Sequence, residues 1–287
     1  MITILANIRI NSEKRLKHLK DSFSSFNQIS DNWLINIRGK YRHQAILFLQ
    51  NELGPKAIVF ELLNDDLGWS TNCLTMLKAA KYNYIFVWVE DHVNISSQKH
   101  LKQVVQETIV KKVSFLSVTW WIFGYKYQRF DKLGFLNKHK TISTINLTKD
   151  KWLKFISKKY HPYLIPMQGI FNKKLLIYVM QNDEKMWPVK ISYILFKVID
   201  ILAKLGLKRD GQEIFKQINK YTNYSLRRYP KQTPFGIELD SSRTDILPLK
   251  YALPNKELFA SIDDDGGVKN YSLINRGLYP TKKLPQN

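Results

Sequence analysis

The chain has 287 residues, of which 44% are hydrophobic and 13% aromatic, which is enough apolar material for a substantial core. Its 45 Lys and Arg outnumber its 24 Asp and Glu, and the resulting net charge of +21 favours anionic partners: nucleic acid, anionic lipid headgroups, or phosphorylated small molecules and glycans. One cysteine, Cys73, excludes an internal disulfide and fits a reducing compartment.

No apolar run approaches the ~20 residues that cross a bilayer, and the apolar start of the chain is too short for a secretory signal. We therefore expect a cytoplasmic protein, either free or peripheral on the inner face of the membrane. A Lys-rich, AT-biased genome is the other explanation of the charge, and it requires no specific partner.

Residues 1–112 alternate regularly between two hydrophobic periodicities. Extended apolar runs predict strands over residues 2–10, 33–37, 57–63, 84–89 and 113–122. Helical spacing predicts helices after Ser12, over 42–53, after Ser70, and after Ser96 or Ser97, where the hydroxyls are good N-caps. Strands that alternate with helices of this length indicate βαβ units and a mostly parallel sheet.

The predicted fold class is therefore α/β, with a mostly parallel sheet flanked by helices and a mainly helical or irregular C-terminal part. We expect residues 1–122 to form the ligand-binding α/β half and residues 123–287 to form the acceptor-binding and C-terminal region, continuous with the first half as one domain.

One stretch, residues 84–93, organises this interpretation. Six apolar or aromatic residues indicate a strand buried on both faces, and it runs directly into Glu90, Asp91 and His92. Open α/β sheets bind ligands at the carboxyl ends of their strands. Carboxylates and imidazole bind divalent cations, so these three residues are predicted to hold a metal that bridges a diphosphate. An ordinary strand-to-helix loop is the alternative.

Other polar residues end neighbouring strands at the same predicted edge of the sheet. Asn64, Asp65 and Asp66 follow the third strand, where they would contact the base or ribose of a nucleotide. Arg9 and Arg38 end the first two strands and would meet phosphates or the base. Turn chemistry for the Asn-Asp-Asp run and simple solvation of the arginines are the alternatives.

Residues 57–93 resemble the core of an inverting GT-A glycosyltransferase of the family-2-like group, and the resemblance extends over about residues 1–120. The matching parts, in order, are Asn64, Gly68, Asn72 on a helix, and the strand 84–89 leading into Glu90, Asp91 and His92, where the family has Asp-x-Asp. The resemblance implies a GT-A-like (Rossmann-like) fold and a nucleoside-diphosphate sugar as donor. The implied donor-binding residues are Asn7, Arg9, Arg38, Asn64, Asp65, Asp66, Asn72, Glu90 and Asp91.

The family's motif implies a cofactor, Mn²⁺ or Mg²⁺, held here by Glu90, Asp91 and His92. Two alternatives remain open: Asp91 alone binds the metal, or the site works without a metal.

Inverting transfer requires a carboxylate that takes the proton of the acceptor hydroxyl. The segment 168–171, Gln-Gly-Ile-Phe, resembles the glycine-containing acceptor-side segment of the family. Asp183 follows it and is the first candidate for the catalytic base, and Glu238 is the second.

The resemblance implies a glycan or lipid-linked acceptor in surface polysaccharide or lipopolysaccharide synthesis. The basic, aromatic segment 125–160 would face such an acceptor. An apolar helical stripe flanked by lysines over 190–208 would lie on an anionic membrane surface, and a core helix is the alternative.

Two other function classes remain. The charge permits a nucleic-acid-binding or nucleotidyl-transferring protein, although no helix-turn-helix, zinc-finger or RNP pattern is present, so we expect no specific nucleic acid. A catalytically inactive glycan- or membrane-binding relative is the other class. The sugar, nucleotide, linkage and oligomeric state do not follow from the sequence.

Overall fold

The structure is a computed structural model, and it describes residues 1–64, 68–119, 124–155, 164–181, 244–263 and 271–280. Its strands are β1 Thr3–Arg9, β2 Trp33–Arg38, β3 Ala57–Val59, β4 Tyr84–Val87, β5 His92–Asn94, β6 Phe115–Ser117, β7 Asn137–Lys138, β8 Ile142–Leu147, β9 Gly169–Asn172, β10 Leu249–Pro254 and β11 Phe259–Ser261. Its helices are α1 Glu13–Phe26, α2 Arg42–Leu53, α3 Trp69–Leu77, α4 Gln98–Val110, α5 Tyr125–Lys132, α6 Lys149–Phe155 and α7 Lys173–Gln181.

Within these ranges, nine strands form one sheet in the order β3-β2-β1-β4-β9-β6-β10-β8-β7. Strands β3, β2, β1 and β4 are mutually parallel, whereas β9 runs antiparallel to both of its neighbours, β4 and β6. Strand β10 is parallel to β6, and β8 is antiparallel to both β10 and β7. Only β8 and β9 therefore oppose the common direction, and the predicted α/β class with a mostly parallel sheet is confirmed.

Both faces of the central strands are buried, as the continuous apolar run in residues 84–89 predicts. Along β1, Ile4 and Ala6 face one core, while Leu5 between them faces the other. The same alternation places Phe86 in the first core and Val87 in the second. The first core is covered by α1, α2 and α4, and the second by α3, α5, α6 and α7.

Several element boundaries differ from the predictions. The strands predicted over 57–63 and 113–122 are only three residues each, Ala57–Val59 and Phe115–Ser117. Helix α3 begins at Trp69 with Gly68, rather than Ser70, as its N-cap. Gly68 has a positive φ of 77°, which explains why a glycine precedes this helix. Ser12 and Ser97 cap α1 and α4 as expected, each accepting a hydrogen bond from a backbone N–H.

Strand β9 is the main topological addition that periodicity did not predict. It enters the sheet between β4 and β6, and its first residue, Gly169, pairs with Val87 and Ser117. A Cβ atom on Gly169 would lie 2.4 Å from the Phe115 ring, so no side chain fits there. Gln168, which precedes it, consequently lies at the carboxyl edge of β4.

The sheet takes strands from both predicted halves of the chain, since β7, β8, β9 and β10 follow residue 123. The boundary between the halves stays a prediction. The proposed membrane-facing helix 190–208 lies outside the described residues. Among the helices that are described, none combines the length and apolar character needed to span a bilayer.

Glu107 on α4 ties this helix to the turn before β8. Its carboxylate accepts hydrogen bonds from the backbone N–H groups of Lys140, Thr141 and Ile142 at 3.2, 2.7 and 3.2 Å, and from the Thr141 hydroxyl at 2.5 Å. Burial alone would raise the pKa of Glu107, but these hydrogen bonds to the ionised form outweigh burial and lower the pKa below 4.5.

We predict that Glu107→Gln lowers the free energy of unfolding at neutral pH by about 1–3 kcal/mol, because donors that faced a carboxylate now face an amide. A depressed carboxyl pKa stabilises the fold above the unfolded-state pKa and loses that contribution as pH falls through the folded-state pKa. Denaturant unfolding should therefore show the stability gap between wild type and variant narrowing as the pH falls through the lowered folded-state pKa of Glu107. The exposed Glu52→Gln is the matched control, and a stability gap that is independent of pH would contradict the assignment.

Candidate functional site

The parallel strands β2, β1 and β4 end at one edge of the sheet, which is where the sequence analysis places the predicted ligand-binding residues. Arg9 and Arg38 are register partners at the ends of β1 and β2. Arg9 is exposed and Arg38 half-buried. Asn64, beyond β3, is also exposed. Arg9 and Arg38 therefore lie side by side at this edge.

Trp88 fixes the chain immediately before the predicted metal motif. Its backbone N–H donates to the carbonyl of Leu5 at 2.9 Å, which extends the pairing of β4 with β1. Its indole N–H donates to the hydroxyl of Ser22 at 2.9 Å, and its ring packs edge-on against Phe26 at 5.4 Å. The ring is buried between the sheet and α1, so the chain that leads into residues 90–92 is firmly held.

The backbone after Trp88 is held by an element that is distant in sequence. Strand β5 pairs antiparallel with β11, so that His92 lies opposite Ser261. The N–H of Ile262 donates to the carbonyl of Asp91 at 2.7 Å, and the hydroxyl of Ser22 donates to the carbonyl of His92. The main chain of Asp91 and His92 is therefore held by hydrogen bonds from both β11 and α1.

Glu90 is buried, with only 3% of its side chain exposed, and the Arg15 guanidinium donates a hydrogen bond to its carboxylate. A buried carboxylate requires such a partner, because removing an unpaired charge from water is costly. Arg15 lies in the first turn of α1 and is itself 49% exposed. The two residues thus link the interior of the site to its surface.

Asp91 is the more accessible acid, with 33% of its side chain exposed. Its Oδ1 lies 2.7 Å from Nδ1 of His92, whose side chain is 16% exposed. Burial alone would raise the pKa of Asp91, but the interaction with His92 and the nearby Arg15 guanidinium outweigh burial and hold the pKa below its usual value. Asp91 is therefore ionised at neutral pH and partly open to a ligand.

The motif fits a divalent cation through Asp91. In the described residues, no group of three or more His, Cys, Asp and Glu side chains is arranged to hold a metal ion. However, Mg²⁺ is commonly bound by one or two carboxylates together with substrate phosphates, and the partly exposed Asp91 meets that requirement. Glu90 is directed at Arg15 instead, so the metal set Glu90, Asp91 and His92 stays a prediction.

Two further charges lie at this edge that the sequence did not single out together. Lys14, next to Arg15, lies 2.6 Å from a carboxylate oxygen of Asp263, the residue that follows Ile262. His18, one turn further along α1, is buried, and burial lowers its pKa, so it is neutral at neutral pH. Lys14, Asp263 and Asp91 all lie near enough to His18 to influence its charge.

Asn7 and Asn36 form a separate buried polar cluster inside the same edge. The Asn36 amide N–H donates to Oδ1 of Asn7 at 3.0 Å and to the carbonyl of Leu62 at 3.2 Å, and the N–H of Leu62 donates back to Asn36 Oδ1 at 3.1 Å. The Asn7 amide in turn donates to the Trp69 carbonyl and to Cys73 Sγ. Asn7 therefore binds α3 to the sheet.

Cys73 is fully buried behind this cluster, and burial raises the pKa of its thiol to about 12. The thiol is consequently protonated and unreactive at neutral pH. It carries no chemistry at the site.

Two buried amides at this edge have unused hydrogen-bonding capacity within the described part of the chain. Asn72, in the first turn of α3, has a buried Nδ2 with no partner. Gln168 is 2% exposed, and neither its Nε2 nor its Oε1 has a partner. Buried polar groups are normally satisfied, so each of these amides is a candidate for contact with a ligand or a bound water.

Four predicted site residues, Asp65, Asp66, Asp183 and Glu238, lie outside the described residues, so their roles stay predictions. The structure adds Arg15, Lys14, Asp263 and Asn36 to the edge. The sequence contained one indication that Arg15 and Lys14 lie at this edge: both occupy the first turn of the helix that follows β1. The pairing of Asp263 with this helix had no local signal.

We predict that the same substitution destabilises the protein much more at Asn36 than at Asn72. Asn36→Leu removes partners from Asn7 and Leu62 and should lower the free energy of unfolding by about 2–4 kcal/mol. Asn72→Leu replaces an amide whose Nδ2 has no partner and should change stability by less than about 1 kcal/mol. Urea unfolding of both variants tests this, and equal destabilisation would show that Asn72 is a structural residue like Asn36.

Comparison with known proteins gave similarity at the level of solved structures. No protein-family model and no curated protein sequence matches the chain. The structure of S. aureus TarS 1–349 in complex with UDP-GlcNAc superposes with a TM-score of 0.40 at 13% identity, covering 65% of this chain and 49% of that one. TarS 1–349 in complex with UDP gives a TM-score of 0.38 at 14% identity, with 65% and 50% covered. The chain thus spans about half the length of these structures.

Proposed function

We propose that this protein is a glycosyltransferase that moves a sugar from a nucleoside-diphosphate donor to a glycan or glycolipid acceptor. The observation that carries this proposal is the position of Asp91: an ionised, partly exposed carboxylate held at the carboxyl end of central strand β4, beside Arg15 and His92. Open α/β sheets bind nucleotides at this edge. Mixed charges there suit a diphosphate whose negative charge increases when the sugar leaves.

In this proposal the donor lies along the ends of β2, β1 and β4. The diphosphate lies by Asp91, and the base and ribose lie toward Arg9, Arg38 and Asn64, with Asp65 and Asp66 as further candidates. Asn72 offers the donor a side-chain amide whose Nδ2 has no hydrogen-bond partner among the described residues. Asn7 supports the donor site indirectly, because its side chain is occupied by Asn36, Trp69 and Cys73.

A divalent cation, Mn²⁺ or Mg²⁺, would be held by Asp91, with His92 beside it, and when bound would neutralise charge on the leaving diphosphate. The chain's own contribution is to hold the Asp91 carboxylate through the His92 ring and the Asp91 main chain through the Ile262 N–H, which donates to the Asp91 carbonyl. Trp88 and its aromatic neighbours are buried beneath the segment that carries this carboxylate.

For the acceptor side we retain Asp183, and then Glu238, as the proposed base of an inverting transfer. Gln168 belongs to the segment that resembles the family's acceptor side, and its buried amide is suited to hydrogen-bonding a sugar hydroxyl. The net charge of +21 favours an acceptor that carries phosphate, such as a lipid-linked glycan of a surface polysaccharide or lipopolysaccharide, and favours peripheral contact with an anionic membrane.

Donor binding by TarS is a property of that protein. A superposition at a TM-score of 0.40 is too loose to transfer a ligand to this chain. The support for the proposal is therefore the site itself: the edge of the sheet, the ionised Asp91 and the cations beside it.

We predict that at least one of UDP, GDP, ADP and CDP raises the melting temperature of the wild type in the presence of Mn²⁺ or Mg²⁺. At about 100 times its Kd, a ligand adds about 2.7 kcal/mol to the free energy of unfolding, equivalent to roughly 5 °C or more here. Asp91→Asn preserves the shape of the side chain but removes its charge, so it should abolish most of this shift. Differential scanning fluorimetry is the measurement.

The exposed Asp150→Asn is the matched control, since it removes one acidic charge away from the site and should preserve the shift. No stabilisation of the wild type by any of the four nucleotides would overturn the proposal. Binding to DNA or RNA that falls steeply with salt, in the absence of nucleotide binding, would instead favour the nucleic-acid alternative.

A further inference from the structure

Glu90 and Arg15 are joined across 75 positions of sequence by a contact that determines what each can do. Glu90 is almost completely buried, and its Oε1 accepts the guanidinium hydrogen bond. The Glu90 carboxylate is therefore already paired with the Arg15 guanidinium, and it lies in the interior of the protein. It is better placed to hold Arg15 than to reach a metal at the surface.

Arg15, in contrast, reaches solvent, since about half of its side chain is exposed while its guanidinium contacts Glu90. A guanidinium has five N–H donors in a planar fork, and the contact with Glu90 involves Nη2. Arg15 is also close enough to influence the charge of Asp91, the predicted diphosphate-side residue. An arginine positioned in this way can hold Glu90 and bind a phosphate oxygen at the same time.

Lys14 adds a second cation from the same helical turn. Its ammonium lies 2.6 Å from the Asp263 carboxylate, and its side chain is 63% exposed, so this ion pair lies at the surface, where such pairs are weak. Asp263 adjoins Ile262, whose N–H binds the Asp91 carbonyl. These two cations are here named the α1 basic pair: Arg15 acts on Asp91 directly, Lys14 lies beside Asp263 next to the segment that holds Asp91, and each is paired with an acid of the protein.

We propose that the α1 basic pair binds the diphosphate of the donor, with Arg15 as the principal contact, and that Glu90 positions Arg15 rather than a metal ion. This inference rests on the proposed function, because it assigns the residues that would take the donor's diphosphate. Arginine suits this ligand because its fork matches two phosphate oxygens, whereas Lys14 contributes a mobile point charge.

One consequence separates this arrangement from a site that depends on metal alone. Arg15 and Lys14 can donate hydrogen bonds to phosphate oxygens whether or not a divalent ion is present, because Glu90 contacts only Nη2 of Arg15 and the Lys14–Asp263 pair lies at the surface. Diphosphate binding should therefore have a component that survives chelation of metal and is lost with Arg15. Glu90→Gln should not weaken that component, because it leaves the cation in place and removes the anion that competes for it.

The test is isothermal titration of UDP, GDP, ADP, CDP and inorganic pyrophosphate, each in excess EDTA and in excess Mn²⁺. The proteins are the wild type, Arg15→Ala, Glu90→Gln, the double variant Arg15→Ala/Glu90→Gln, and Lys20→Ala. Lys20→Ala is the matched control, because it removes one positive charge from the far part of α1. The double variant is needed because Arg15→Ala alone leaves Glu90 buried without its cation and destabilises the fold.

In EDTA, we expect the two proteins that lack Arg15 to bind about 10- to 100-fold more weakly than the wild type. This is the range for loss of a charge-assisted hydrogen bond. Glu90→Gln should bind at least as tightly as the wild type in EDTA and should keep its response to Mn²⁺. Lys20→Ala should bind like the wild type. Circular dichroism and a melting curve for each variant confirm that the folded protein is being titrated.

Three results would overturn the inference while leaving glycosyl transfer intact. These are nucleotide binding that requires Mn²⁺ absolutely, undiminished binding in the folded double variant, or loss of the Mn²⁺ response in Glu90→Gln, which would make Glu90 a metal ligand. A wild type that binds none of the five probes in either condition would overturn the proposed function itself, and the inference with it.

Discussion

The structure depends on strand β1 being paired along both edges and covered on both faces. Parallel pairing with β2 on one side and β4 on the other aligns the carboxyl ends of all three strands, because parallel strands share one direction. The buried faces fix the register, since a slip of one residue would exchange the two sets of core side chains. Arg9, Arg38 and the residues after β4 reach one edge for this reason.

A second constraint comes from the late part of the chain. Strand β11 pairs with β5, and Ile262 hydrogen-bonds Asp91, so residues about 170 positions downstream hold the main chain of the motif. Helix α1 contributes from the other side, with Ser22 bound to His92 and Arg15 bound to Glu90. The candidate site is therefore assembled from three separate segments, and its side chains have little freedom to rearrange independently.

The parts predicted successfully from the sequence were those with local signals. Period-two and period-3.6 patterns identify the alternating strands and helices of the first half, and hydroxyl N-caps at Ser12 and Ser97 mark two helix starts. The strand 84–87 was recognisable because a run of apolar residues buried on both faces is typical of a central parallel strand. The prediction that the acidic residues at its end lie at the ligand-binding edge then followed from a general rule for α/β sheets.

What could not be predicted depends on contacts between distant segments. Strand β9 opposes its neighbours, and no periodicity reveals direction. The segment 92–94 forms a strand beside β11, and Glu90 contacts Arg15, which is 75 positions away in the sequence. Local propensity gives no information on such pairings. The one local feature that could be used in similar sequences is a basic residue just after β1.

Amide hydrogen exchange, measured by mass spectrometry with and without a saturating nucleoside diphosphate and Mn²⁺, tests the central claim most directly, because it locates the ligand on the chain. A donor site at the carboxyl edge predicts slower exchange in peptides covering residues 88–94 and 10–16, with the remainder of α1 and α4 unchanged. Protection confined to other surfaces, or no protection at a concentration that saturates binding, would contradict the account.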